Sequence, residues 1–214
     1  MAAASSVLSD DTRLSKLDRT LFALEQPLAL ISGIAVFALM VLAVVSVTGR
    51  NFFNAPLPGY VDWIEQAMPV IALTGVAYVQ RLGGHIRMDL FVGMAKGRVL
   101  WVVEFITVAL MLMVTLLLLW GSFSHFGRSF DFAAPLWSRD SSMDIAIPLW
   151  PAKLIVPIAF FVLALRFVLQ LWAYGRAIAT GSEHPVAVPL IEDAATQAAN
   201  EAATVSDENV EARP

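Results

Sequence analysis

Four ionisable residues interrupt otherwise apolar runs: Glu65, Glu104, Lys153 and Arg166. A charge inside a long apolar segment is costly, so it pairs, snorkels to a surface, or acts on an ion or proton. An isolated deep carboxylate would suit ion-coupled transport. Acid and base at one depth suit a structural pair, and position favours that reading. Glu104 lies about one turn inside its run, and Arg166 falls in the same leaflet of an antiparallel segment. Glu65 and Lys153 fall near the opposite surface, with Arg50 close by. The expectation is two structural ion pairs, with none of the four near the midplane, where coupled transporters hold their cargo.

The other chemistry-bearing residues exclude more than they support. Four-helix membrane cytochromes clamp haem between two histidines at one depth. His85, His125 and His184 fall on different sides or in the tail, so no cofactor is expected. There is no cysteine, which removes thiol and disulfide chemistry. No nucleophile–base set and no phosphate-cradling glycine loop is present, and the chain reads as a non-enzyme. No basic patch points to nucleic acid. His85 and Asp89 stand at helical i, i+4 spacing, which makes His85, Arg87 and Asp89 a candidate capping network or docking surface.

The elements that must position these residues are membrane helices. The chain has 214 residues, 58% of them hydrophobic, against about 45–50% in an ordinary soluble domain. The excess falls in runs of roughly 20 residues, enough to cross about 30 Å of hydrocarbon. The runs do not alternate as barrel strands would. The fold class is therefore all-α, an integral membrane protein with four transmembrane helices at about 27–48, 61–80, 99–120 and 148–172. Together they form a membrane domain over 27–175. The stretch from Asp62 to Asp89 organises it, with acids at one end, an apolar centre, and a basic exit hinged at Gly83-Gly84. Phe123, Phe126 and Phe130 share a helical face, which lets the third helix run past Trp120.

Residues 1–26 form an N-terminal segment. Leu14, Leu17, Leu21, Leu24 and Leu28 fall on one helical face, Arg13, Lys16 and Arg19 on another, and Ser9 suits an N-cap. This predicts either an amphipathic helix in the headgroup layer, ended by Pro27, or a frayed helical lead-in to the first span. No cleavable leader is evident, so the first span is expected to stay as an anchor. Residues 176–214 carry no aromatic residue after Gly181 and a marked acidic excess, which predicts a disordered tail.

Lys and Arg counts set the orientation. Eight fall on the side of the termini (Arg13, Lys16, Arg19, Arg81, Arg87, Lys96, Arg98, Arg176) and three opposite (Arg50, Arg128, Arg139). Both termini are expected in the cytoplasm. Trp63, Trp101, Trp120, Trp150 and Trp172 each fall at a predicted helix end, where amphipathic rings prefer the interface.

These residues resemble a known family. Arg50-Asn51-Phe52-Phe53-Asn54 with Pro56-Leu57-Pro58, then Glu65, then Gly83-Gly84-His85-Ile86-Arg87-Met88-Asp89, are similar to the small, Q-type permease subunit of tripartite ATP-independent periplasmic (TRAP) transporters. Ile145-Ala146-Ile147-Pro148-Leu149-Trp150, Pro157 and Leu165-Arg166 resemble the family's fourth helix. The likeness covers nearly all of residues 15–175. It implies a bacterial inner-membrane subunit that braces a large permease subunit. That partner would carry sodium and an organic acid delivered by a periplasmic binding protein. Membrane lipid is the remaining partner. Arg50, Glu65, His85, Arg87, Asp89, Glu104 and Arg166 become candidate partner or scaffold contacts. The competing reading is a stand-alone small multidrug-type antiporter working through one membrane carboxylate. The transported substrate is not legible, because the residues selecting it would lie on the partners.

Overall fold

The computed structural model describes residues 12–55, 57–81, 98–180 and 188. The first helix, α1, is Arg13–Phe53 and runs 41 residues without a break, roughly 60 Å at 1.5 Å per residue. That is about twice the hydrocarbon thickness. Of the two expectations for the N-terminal segment, the helical lead-in is the one that forms, not a separate helix ended by Pro27: Pro27 lies inside α1. Its ring removes one N–H, and with it the bond to the carbonyl of Ala23. Buried anchors at Asp18, Leu21 and Glu25 hold the preceding turns in register. The leucine face is also narrower than expected. Leu14 and Leu21 are buried, but Leu17 and Leu24 are exposed. The predicted Ser9 cap lies outside the described residues.

Asn54 ends α1 in the left-handed conformation (φ 51°), which Asn tolerates better than most residues. The chain turns through Gly59 (φ 68°) into α2, Tyr60–Thr74. Glycine is needed there twice over, since a Cβ at this position would lie 2.3 Å from the Ile145 side chain. The second predicted helix is split in two, with α3 at Val76–Arg81 following a break at Gly75. The cause is local. The Ser32 hydroxyl of α1 donates to the Ile71 carbonyl at 2.8 Å. That carbonyl would otherwise receive the Gly75 N–H, and a side chain entering the ladder breaks it. Ser32 is also within 3.8 Å of where a Gly75 Cβ would stand, so α1 and α2 cross at small residues.

Helix α4, Arg98–Ser129, continues past Trp120 as the phenylalanine spacing suggests. Phe123, Phe126 and Phe130 pack in series, at 6.3 and 5.3 Å between centroids. Helix α5, Trp150–Thr180, passes through Pro157 and ends eight residues beyond the predicted boundary. Both helices outrun their apolar runs, so Trp120 and Trp172 sit inside helices rather than at their ends. Helix α5 is the hub and packs on α1, α2, α3 and α4. Its Val162, Leu163, Phe167, Ala173, Tyr174 and Ala177 form the core with Leu14, Leu21, Ala77, Trp101 and Val108.

Among the described residues, α1, α4 and α5 are long and apolar enough to cross a membrane. The apolar remainder of α1 makes few contacts, leaving Ile34, Phe37, Met40 and Val44 exposed. Most of the predicted disordered tail lies outside the described residues. Val188 does not: it is fully buried against the core.

Candidate functional site: a buried charge network

The deepest polar residues gather where α1, α3 and α5 meet. Asp18 and Glu25 are seven residues apart, two turns of one α1 face. Arg166 reaches them from α5. Its Nε and Nη2 donate to the two Glu25 carboxylate oxygens at 2.7 and 2.6 Å, a bidentate fork, and its Nη1 donates to Asp18 Oδ1. Arg81, the last residue of α3, donates to Asp18 Oδ2 at 2.9 Å. Its guanidinium also lies 4.1 Å from the Phe22 ring centroid. Beside the ions, Gln80 Nε2 donates to Gln170 Oε1 at 2.9 Å. Arg166 and Glu25 are both 0% exposed.

Two acids face two bases, so the set is neutral as a unit. That matters because of its depth. On α5, Trp172 is 50% exposed near one end, and at the other Trp150 packs on Phe130 at 5.5 Å and on Trp137 at 6.3 Å. Such rings favour the two membrane interfaces. Trp150 and Trp172 are twenty-two residues apart, roughly 33 Å of helix, one bilayer core with its margins. Arg166 lies six residues from Trp172, roughly 9 Å inward. A lone charge there would cost several kcal/mol, and mutual pairing with full hydrogen bonding removes most of that penalty.

At the opposite end, carboxylates hold the connector over 130–149 by different means. Asp62, near the start of α2, accepts from the Ser142 hydroxyl at 2.6 Å and from the Asp144 and Ile145 N–H groups at 3.1 and 2.9 Å. The Ser142 hydroxyl in turn accepts the Ile147 N–H at 2.9 Å. Gln66 donates to the Pro148 carbonyl at 3.0 Å. Lys153 bridges Asp140 at 2.6 Å and Ser129 at 3.0 Å. The bonds from Lys153 and then Ser129 hold the Asp140 carboxyl below its ordinary range. Asp131 is lowered by the Ala133 N–H and then by Arg139.

Both expected ion pairs are replaced by others. Arg166 pairs with Asp18 and Glu25, not with Glu104, which is separately buried on α4. Lys153 pairs with Asp140, not with Glu65. Glu65 and Arg50 are exposed, and no ion pair joins them among the described residues. His85, Arg87 and Asp89 lie outside the described residues. Sequence reasoning missed Asp18, Glu25, Arg81, Gln80 and Gln170. One signal was available: Leu14, Asp18, Leu21, Glu25 and Leu28 alternate by four and three, which places two acids on the leucine face.

Chemically the network is closed. Every guanidinium nitrogen of Arg166 is committed to a carboxylate, and the described residues bring no three His, Asp or Glu together as a metal site. A protein-family model for the tripartite ATP-independent periplasmic transporters, DctQ component, matches residues 39–176. No curated protein shows a significant match. The family match contains Arg81 and Arg166 but begins after Asp18 and Glu25, so the acidic half of the network lies outside it.

Proposed function

Because the chain belongs to the DctQ component family of tripartite ATP-independent periplasmic transporters, we propose that it braces the large permease subunit during uptake. It is a transporter component rather than an enzyme, and a multi-pass protein of the bacterial inner membrane. In our reading α2 and α3 together make a fourth crossing, and both termini lie in the cytoplasm. The large subunit carries sodium and an organic acid, and a periplasmic binding protein delivers the acid.

The observation that carries the bracing role is the closed network. A subunit that moves cargo needs a polar site able to exchange partners. Here the deep charges of α1, α3 and α5 are spent on one another, which locks helices that a moving subunit would have to release. The unpartnered apolar length of α1 offers contact area to a membrane partner. The antiporter alternative needs a carboxylate free to exchange a bound proton for its substrate. Glu25 is held in a fork by Arg166, and Glu104 is buried with interactions of its own.

Liposome reconstitution with separately purified subunits tests the reading. Uptake is expected only when this chain, the large subunit and the binding protein are all present. Uptake by this chain alone would overturn the bracing role and favour the antiporter.

A further inference from the structure

A groove of about 420 Å³ opens along α4 and α5 on the connector side of the bundle. Its two ends differ in chemistry. Toward the midplane it is lined by Leu117, Val156 and Phe160, and toward the connector by Ser122, His125 and Lys153. Leu117 is 56% exposed, so the described part of this chain leaves the apolar end open. Lys153 lies three residues past Trp150, roughly 4.5 Å inside the aromatic set that marks the interface. The polar end is thus at headgroup depth and the apolar end at acyl-chain depth.

Lysine carries three N–H donors. Lys153 gives two of them to Asp140 and Ser129. Two bonds leave one donor over, and Lys153 lines the groove together with the exposed His125. A soluble ligand would have to bury a polar body against Leu117 and Phe160. An amphiphile matches both ends at once.

We propose that this groove is a specific site for a glycerophospholipid of the surrounding bilayer. One acyl chain lies along Leu117, Val156 and Phe160, and the phosphate accepts from Lys153 and His125. The inference is independent of the bracing role, since it uses only the groove and its depth.

The test uses the full chain, purified in detergent, delipidated, and examined by native mass spectrometry alone and in complex with the large subunit. Phosphatidylglycerol is added in one arm, diacylglycerol without a phosphate in a second, and glycerol 3-phosphate without chains in a third. Gly121→Leu fills the groove without distorting the helix, because a Cβ at Gly121 meets no atom within 4 Å. The expected result is one phosphatidylglycerol retained by the wild type in both preparations. Gly121→Leu should lose it, Lys153→Gln should weaken it, and the other two arms should show no retention. Equal retention by Gly121→Leu overturns the proposal, as does equal retention in the diacylglycerol or glycerol 3-phosphate arm. Loss of phosphatidylglycerol in the complex, where the large subunit could take its place, also overturns it.

Discussion

The two ends of this bundle use carboxylates in opposite ways. At one end Asp18 and Glu25 meet guanidinium groups across 63 to 148 residues of sequence, with every member nearly or fully buried. At the other, Asp62 collects a hydroxyl and two backbone N–H groups, while Asp140 and Arg139 keep side chains 46% and 60% exposed. The difference follows from the donors at hand. Asp18 and Glu25 lie among helices whose backbone groups already bond within the helix, so guanidinium groups offset their charge. Asp62 is 3% exposed but sits against a non-helical connector whose hydroxyl and N–H groups satisfy it, and its work is to order that backbone.

The sharpest way to break that contrast is Arg166→Gln, which strands Glu25 and shares Asp18 with Arg81 alone. A loss of about 3–5 kcal/mol is expected, read as a lower unfolding temperature and a reduced yield of complex. Adding Glu25→Gln should restore part of it, because the uncompensated charge is then gone. Equal damage in the single and double variants would mean that the two residues are not coupled.

Gly59→Ala probes the connector end through sterics instead of charge. It places a methyl group against Ile145 and forces alanine to φ 68°, for an expected cost of about 1–3 kcal/mol. Gly59→Ala with Ile145→Ala should recover the packing share but not the backbone share, as read from thermal unfolding.

A smaller and purely local effect is expected from Asp62→Asn. The Asp144 and Ile145 amides lose a charged acceptor, so their hydrogen exchange should quicken while that of α5 stays unchanged. Faster exchange across α5 would show that the connector supports the whole bundle.

The smallest effect is the pH response of the Asp140–Lys153 pair. The folded carboxyl is held below the ordinary 3.8, so its contribution is complete above that pH and fades only as pH falls through the lowered value. The Asp140–Lys153 pair should therefore keep its hydrogen bond throughout pH 5 to 8. A loosening within that range, followed by exchange at Ser141 and Ser142, would contradict the assignment.

Some of this was legible from residues alone. The phenylalanine spacing anticipated the continuation of α4, and the turn residues before Tyr60 anticipated the bend that Gly59 makes. Pairing was not legible. Lys153 and Glu65 share a depth, as do Arg166 and Glu104, yet depth says nothing about which helix faces which. Asp18 and Glu25 escaped notice because Arg13, Lys16 and Arg19 beside them make the segment look like a surface helix. Pro27 reinforced that impression by suggesting an end where α1 continues.

Taken by itself, the sequence determined that the chain is helical and built for lipid. Apolar run length and the absence of alternation depend only on local composition and on the bilayer's demand for internally satisfied backbone. It also determined that no thiol chemistry is possible. Tertiary structure alone decided which charges neutralise one another. An ion pair is a property of two surfaces in contact, and the rotation of α1 about its axis against α5, which turns Asp18 and Glu25 toward Arg166, is set by packing along both helices rather than by any single residue.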